Sequence, residues 1–169
     1  MSEAVSVGDL RRKALRVGAW SEVNDVRVFR ASSELVRMPV ETGHFRYDMG
    51  SGVTMQYLEQ DASIIVTSDY SVSIRENAAE AADDGDADRE PFYQLTFTLA
   101  ALFIISVPND AEPLGQDELD AFARSTGQFA IHPYAREFIA DMTGRAGLPA
   151  LHVGLLKIHL DASDEDNKQ

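Results

Sequence analysis

Ile131-His132-Pro133-Tyr134-Ala135-Arg136-Glu137-Phe138, running on through Ile139, Met142, Gly144-Arg145 and Leu148-Pro149, is the stretch that organises everything around it. Pro133 fixes its own φ and has no N–H to place, which suits the first position of a helix. Ala135, Phe138, Ile139 and Met142 recur at i, i+3, i+4 and i+7 and paint one apolar stripe. Arg145 puts a cation at the negative helix end, Gly147 supplies the left-handed cap, and Pro149 blocks continuation. The segment is expected to be a helix of about three to four turns.

Upstream of it the period changes from 3.6 to 2. Residues 23–36 read as a strand with Val26 and Val28 alternating, until Phe29 breaks the phase. Residues 44–49 read as a second, with Phe45, Tyr47 and Met49 on one face. Gly50-Ser51-Gly52 reads as a turn or bulge, after which Val53, Met55 and Tyr57 resume the alternation. Residues 63–75 carry Ile64, Val66, Tyr70, Val72 and Ile74. Residues 92–107 give the strongest strand signal, and from Leu99 onward both faces are apolar, so two covers are expected there. Four long strands without helical crossovers predict an antiparallel sheet.

Shorter elements flank this frame. Asp9 is placed to cap a helix from Leu10 to Trp20, with Leu10, Ala14 and Val17 on its inner side and a basic cluster, Arg11, Arg12, Lys13 and Arg16, around the rest. Pro113, Gly115, Asp117 and Glu118 mark the start of a further helix with Leu119, Phe122 and Ala123 as its stripe, ended by Gly127. Residues 129–132 then link to the helix of the opening stretch. Leu151, Val153 and Leu155 alternate beyond it. The fold class is therefore α+β: a four-stranded antiparallel sheet packed with a long helix from the C-terminal half, plus a short N-terminal helix. Residues 1–160 form one domain, and 161–169 form an acidic tail without apolar anchors.

The 169 residues are enough for a real core, and the hydrophobic share of 44% is ordinary. Acidic residues number 28 against 15 basic ones, a net charge of −13. Such a surface repels phosphate backbones, so no nucleic-acid partner is expected. The absence of cysteine excludes disulfides and thiolate chemistry. No run approaches the roughly 20 apolar residues that span a bilayer, and no apolar signal segment opens the chain, so membrane insertion is not expected and a cytoplasmic location is.

Chemistry finds no foothold. The histidines, His44, His132, His152 and His159, form no i, i+4 pair, and no metal site is expected. Asp83, Asp84, Asp86 and Asp88 superficially suggest calcium. The twelfth position of such a loop is Gln94 or Leu95, however, and neither is a bidentate carboxylate. No Gly-x-Ser-x-Gly elbow and no phosphate-cradling glycine loop is present. No catalytic residue, no cofactor and no enzyme activity is therefore expected. Aromatic and methionine side chains on the sheet and its connections favour binding instead, since they offer large and adaptable contact area.

Pro133-Tyr134-Ala135-Arg136-Glu137, the apolar helix after it, Arg145 and the exit Leu148-Pro149-x-Leu151 resemble the SecB family of protein-export chaperones. The resemblance extends more loosely over residues 22–158. It implies ATP-independent holdases that bind unfolded or extended polypeptides, and homotetramers built as dimers of dimers. It implies a client groove between a crossover connection, the second strand and the long helix. Met38, Val40, Phe45, Tyr47, Met55, Tyr57, Phe129, Ile131 and Met142 are the positions it assigns to client binding. Pro133, Tyr134, Ala135, Arg136 and Glu137 are its structural motif.

The family also includes SecB-like chaperones that protect the antitoxin of toxin–antitoxin modules. The leading helix here is similar to that branch. Only nine polar residues follow Leu160, too few for the second long helix of export members, and the acidic positions that dock the translocase motor SecA do not map cleanly onto Ser32, Ser33 or Glu34. Unfolded clients are the expected partners, with an antitoxin favoured over SecA. Two readings from other classes remain: an α+β domain with a small-ligand pocket between sheet and helix, and an interaction domain for one folded partner.

Overall fold

The structure, a computed structural model, describes residues 7–39, 45–76 and 90–156. Helix α1 (Val7–Trp20) leads directly into β1 (Ser21–Leu35). Strands β2 (Phe45–Leu58), β3 (Ser63–Glu76) and β4 (Tyr93–Ile105) complete one sheet, with a single turn of 3-10 helix, Glu59–Asp61, between β2 and β3. All pairings are antiparallel and the strand order is β1-β4-β3-β2. The consecutive strands β1 and β2 therefore stand at opposite edges, and residues 36–44 connect one edge to the other. Val40 and Gly43 lie outside the described residues, as do His44, the acidic loop over 77–89 and the tail over 161–169.

The period of 2 in the sequence is the period of burial. Ile64, Val66, Tyr70, Val72 and Ile74 of β3 are all buried, and their register partners Phe103, Ala101, Phe97, Leu95 and Tyr93 of β4 are buried with them. The helices cover this face. Phe103 meets Phe122 edge-on at 5.0 Å, and Phe97 meets Phe138 at 4.8 Å. The doubly apolar end of β4 is half covered: its inner residues are sealed by the helices, whereas Ile104 on the outer face is 40% exposed.

Five local expectations are corrected. The glycine pair at 50 and 52 does not turn the chain: β2 pairs with β3 without a register shift from Phe45 to Leu58. Gly50 stands where a Cβ would come within 2.9 Å of Ser71 Oγ, so the glycine meets a close approach rather than a bend. Asp9 does not cap α1, which begins at Val7 and holds Asp9 in its first turn. There it still faces the positive helix end and pairs with Arg12 at 2.5 Å.

The other three corrections are linked. Gly127 does not end a helix and residues 129–132 are not a linker. Helix α2 (Gln116–Phe122) passes through one π-helical segment, Ala123–Gly127, into α3 (Gln128–Arg145), a continuous helical run of 30 residues. Gly127 is needed there because a Cβ would lie 3.0 and 3.2 Å from the two methyls of Val66. Ser125 Oγ donates to the Ala121 carbonyl at 2.6 Å, a local bond that loosens the α-helical ladder at the same place. Pro133 consequently sits inside α3 rather than at its start. It is exposed, as is Phe129 four residues earlier.

The signals at the two outer ends behave as the sequence indicates. Gly115 N–H donates to Glu118 Oε2 at 2.8 Å to open α2, and α1 is tied across to it by Lys13–Asp117 and Arg16–Glu118 at 2.8 and 3.1 Å. Arg145 occupies the last turn of α3, and Gly147 follows with φ +76°. Residues 151–156 form neither helix nor strand.

Candidate functional site

Phe45, Tyr47, Met49, Val53, Met55 and Tyr57 of β2 stand opposite Glu76, Ile74, Val72, Ser68, Val66 and Ile64, every one of them buried. The row thus belongs to the helix-covered face of the sheet. β2 is an outer strand with one neighbour, so the cover over it is incomplete. Tyr47 remains 38% exposed, and the others pack against the core with part of each side chain accessible. The result is an aromatic and methionine strip along the rim of the sheet.

One end of this strip is anchored at Phe92. Its ring lies 5.1 Å from that of Phe45, its carbonyl accepts from Val36 N–H at 2.9 Å, and its N–H donates to the Ile74 carbonyl at 3.0 Å. Arg37 sits over the Phe92 ring at 5.9 Å and pairs with Glu76 at 3.0 Å. Glu76 is buried, and the guanidinium compensates a carboxylate that would otherwise be costly at that depth. The connection between the edge strands therefore leaves β1 fixed to the corner where β2 begins. Val36 at 47% and Met38 at 75% exposure project from it.

Of the nine positions assigned to client binding, Phe45, Tyr47, Met55 and Tyr57 share the β2 strip, and Met38 stands in the connection that starts beside it. Val40 lies outside the described residues. Met142 is half-buried against the core, and Phe129 is 48% exposed on α3. Ile131 corrects the assignment: it is fully buried, because with Ala135 and Ile139 it forms the stripe of α3 pressed onto the sheet. It contributes core and no accessible lining in the folded chain.

The motif divides by side. Ala135 is buried, and Arg136 Nε donates to the Val153 carbonyl at 2.9 Å. Tyr134, 47% exposed, does something unforeseen. With Glu137, Phe138 and Asp141 it faces Val26, Val28 and Leu99 across a groove of about 230 Å³ along β1. Beside it, Phe29 is 65% exposed at a register shift between Val28 and Arg30. The broken alternation at Phe29 was the sequence signal for this second apolar rim.

The outer sheet face is polar by contrast. Arg30 donates to Thr98 Oγ1 at 2.8 Å and pairs with Asp69 at 3.1 Å, and the Thr98 hydroxyl donates to Asp69 as well. The Thr98 hydrogen bond first, and the Arg30 guanidinium second, hold the Asp69 carboxyl below its ordinary value. These residues border an open trough of about 560 Å³ over Gly50 and Gly52. Among the described residues no helix is long and apolar enough to cross a membrane.

An antiparallel sheet of order β1-β4-β3-β2, one face under a long helix and an apolar strip on the outer strand, is the architecture of a SecB-like binding protein. The comparisons bear on this directly. The chain is 32% identical over 153 residues to the SecB-like chaperone Rv1957 of Mycobacterium tuberculosis strain H37Rv, a match covering 88% of this chain and 84% of that one. It is 30% identical over 152 residues to the SecB-like chaperone MT2006 of strain CDC 1551, with the same coverage. The solved structure of Rv1957 in complex with a ChAD peptide from the Rv1956 HigA1 antitoxin superposes with a TM-score of 0.76 at 27% identity, covering 88% of this chain and 99% of that one. No family profile matches the chain. The chain belongs to the SecB-like chaperones.

Proposed function

We propose that this protein is an ATP-independent holdase of the cytoplasm that binds extended, unfolded segments of polypeptide, with an antitoxin as its principal client. The observation that carries the reading is the half-covered β2 strip, an apolar surface on a strand edge in a chain of net charge −13. The antitoxin peptide in the solved relative supports the choice of client. Two client side chains fully buried on the strip would contribute roughly 3–6 kcal/mol. Ordering the client offsets much of this, so each site is weak and several sites on one oligomer supply the avidity.

The oligomer is a homotetramer in this account. Exposed Val23, Val28 and Phe29 on the edge strand β1, with Tyr134 across the groove and Ile104 on the outer face, are more apolar surface than one chain needs to leave open. A solution mass of one chain at micromolar concentration contradicts this assembly.

The test of function is suppression of aggregation. With no nucleotide present, the protein is expected to keep a chemically unfolded protein soluble when diluted out of denaturant. Polypeptides co-purifying with it are expected to include an antitoxin. Failure to suppress aggregation of any unrelated unfolded protein, with capture of a single folded partner, would instead make it a dedicated interaction domain.

A further inference from the structure

One side of α3 holds a segment of chain through hydrogen bonds to its main-chain atoms, with the Val153 side chain in the core and Leu151 packed against it. Arg136 Nε donates to the Val153 carbonyl and His132 Nε2 to the Gly154 carbonyl, each at 2.9 Å. Thr143 Oγ1 accepts from the Leu151 N–H at 2.9 Å while donating to the Ile139 carbonyl. Residues 151–154 therefore lie extended along the helix, paired with side chains where a strand would pair with a strand. Val153 is buried, and its neighbours His152 and Gly154 are exposed.

Such a surface asks little of what it binds. It needs an extended backbone and apolar side chains at alternate positions, here Leu151 and Val153, the same demands made by an unfolded client. It is also imperfectly filled. His132 is only 7% exposed, yet with Nε2 donating to a carbonyl its Nδ1 is a buried acceptor without a donor. A different extended segment could offer that nitrogen an N–H.

We propose that this side of α3 is a second binding site for extended apolar client segments, that residues 151–154 are its resident occupant, and that a client enters by displacing them. Arg136 is then a client-contacting residue once the strap has left, and a positioning residue before. The inference rests on the holdase reading above and extends it from the sheet rim to the helix.

The chain has no cysteine, which makes the test clean. Ala140 and His152 border one cleft, so Ala140→Cys with His152→Cys can be bridged by a short thiol-reactive linker that is cleavable by reduction. The probe is fluorescently labelled, reduced and carboxymethylated α-lactalbumin, which stays unfolded. Locking the strap is expected to weaken probe binding at least fivefold, and cleaving the linker to restore it. Equal binding in both states overturns the second site and leaves the β2 strip untouched. Absence of binding in both states overturns the holdase reading itself. In the unmodified protein, hydrogen exchange at the Leu151 amide is expected to accelerate when the probe binds. Unchanged or slower exchange there also overturns the displacement.

Discussion

Phe138 of α3 meets Phe97 of β4 at 4.8 Å between ring centroids, tilted by 46°. Phe97 in turn stacks on Tyr70 of β3 at 4.9 Å. This file of rings fixes the long helix over the middle of the sheet, and the covered face depends on it. Phe138→Ala removes a half-buried ring from the file. It is expected to lower unfolding stability by about 2–4 kcal/mol, read from a denaturant midpoint with the slope unchanged.

Gly127 lets the helical run approach Val66 of β3 closely. Gly127→Ala forces a methyl against both branches of Val66 and is expected to destabilise by about 1–3 kcal/mol. Because the clash has one identified partner, Val66→Ala in the same chain should recover part of the loss. A double-mutant cycle with a coupling below about 0.5 kcal/mol would show that the glycine is needed for another reason.

How much of this was legible beforehand follows from what each residue answers to. β3 and β4 could be read because their alternation is burial by one face, a local record of a local demand. The run through Gly127 could not, since glycine and proline there mark tertiary contact with Val66 and an exposed helix side, and not chain ends. Gly50 and Gly52 misled in the same way: on an outer strand glycine costs stability without breaking the pairing. For the site, the period of 2 gave the β2 strip, but Ile131 is buried where an accessible lining is expected, and Tyr134 of the motif is exposed. Ile131 stands one turn before Ala135 on the stripe that spacing already marks, and it is buried because the helix runs back past it to Gln128.

Asp69 gives the fold a specific response to acid. Its carboxyl is held below the ordinary 3.8 by Thr98 and Arg30, so it binds its proton more weakly folded than unfolded. The stability it contributes is complete above that ordinary value and is lost as pH falls below it, through the depressed native one. The Asp69 side chain is 51% exposed, which keeps the contribution to about 1 kcal/mol or less. Asp69→Asn should flatten the stability profile below pH 4 by that amount and leave it unchanged in shape near neutrality.

The Phe92 corner makes a prediction of a different kind. Arg37→Ala removes one of the interactions that offset the burial of Glu76, and is expected to cost about 1–3 kcal/mol. Arg37→Ala combined with Glu76→Gln should cost less than Arg37→Ala alone, because the buried charge is gone. Thermal midpoints of the two variants decide the order.

The most direct measurement of the central claim is a binding titration of an unfolded, labelled polypeptide against the wild-type protein and Tyr47→Asp, each checked for the same oligomeric mass. Tyr47 is exposed enough that the substitution spares the core. A charge set into the apolar strip is expected to weaken binding tenfold or more while the assembly persists. Unaltered affinity in a correctly assembled Tyr47→Asp protein would contradict the assignment of the β2 strip as the client surface.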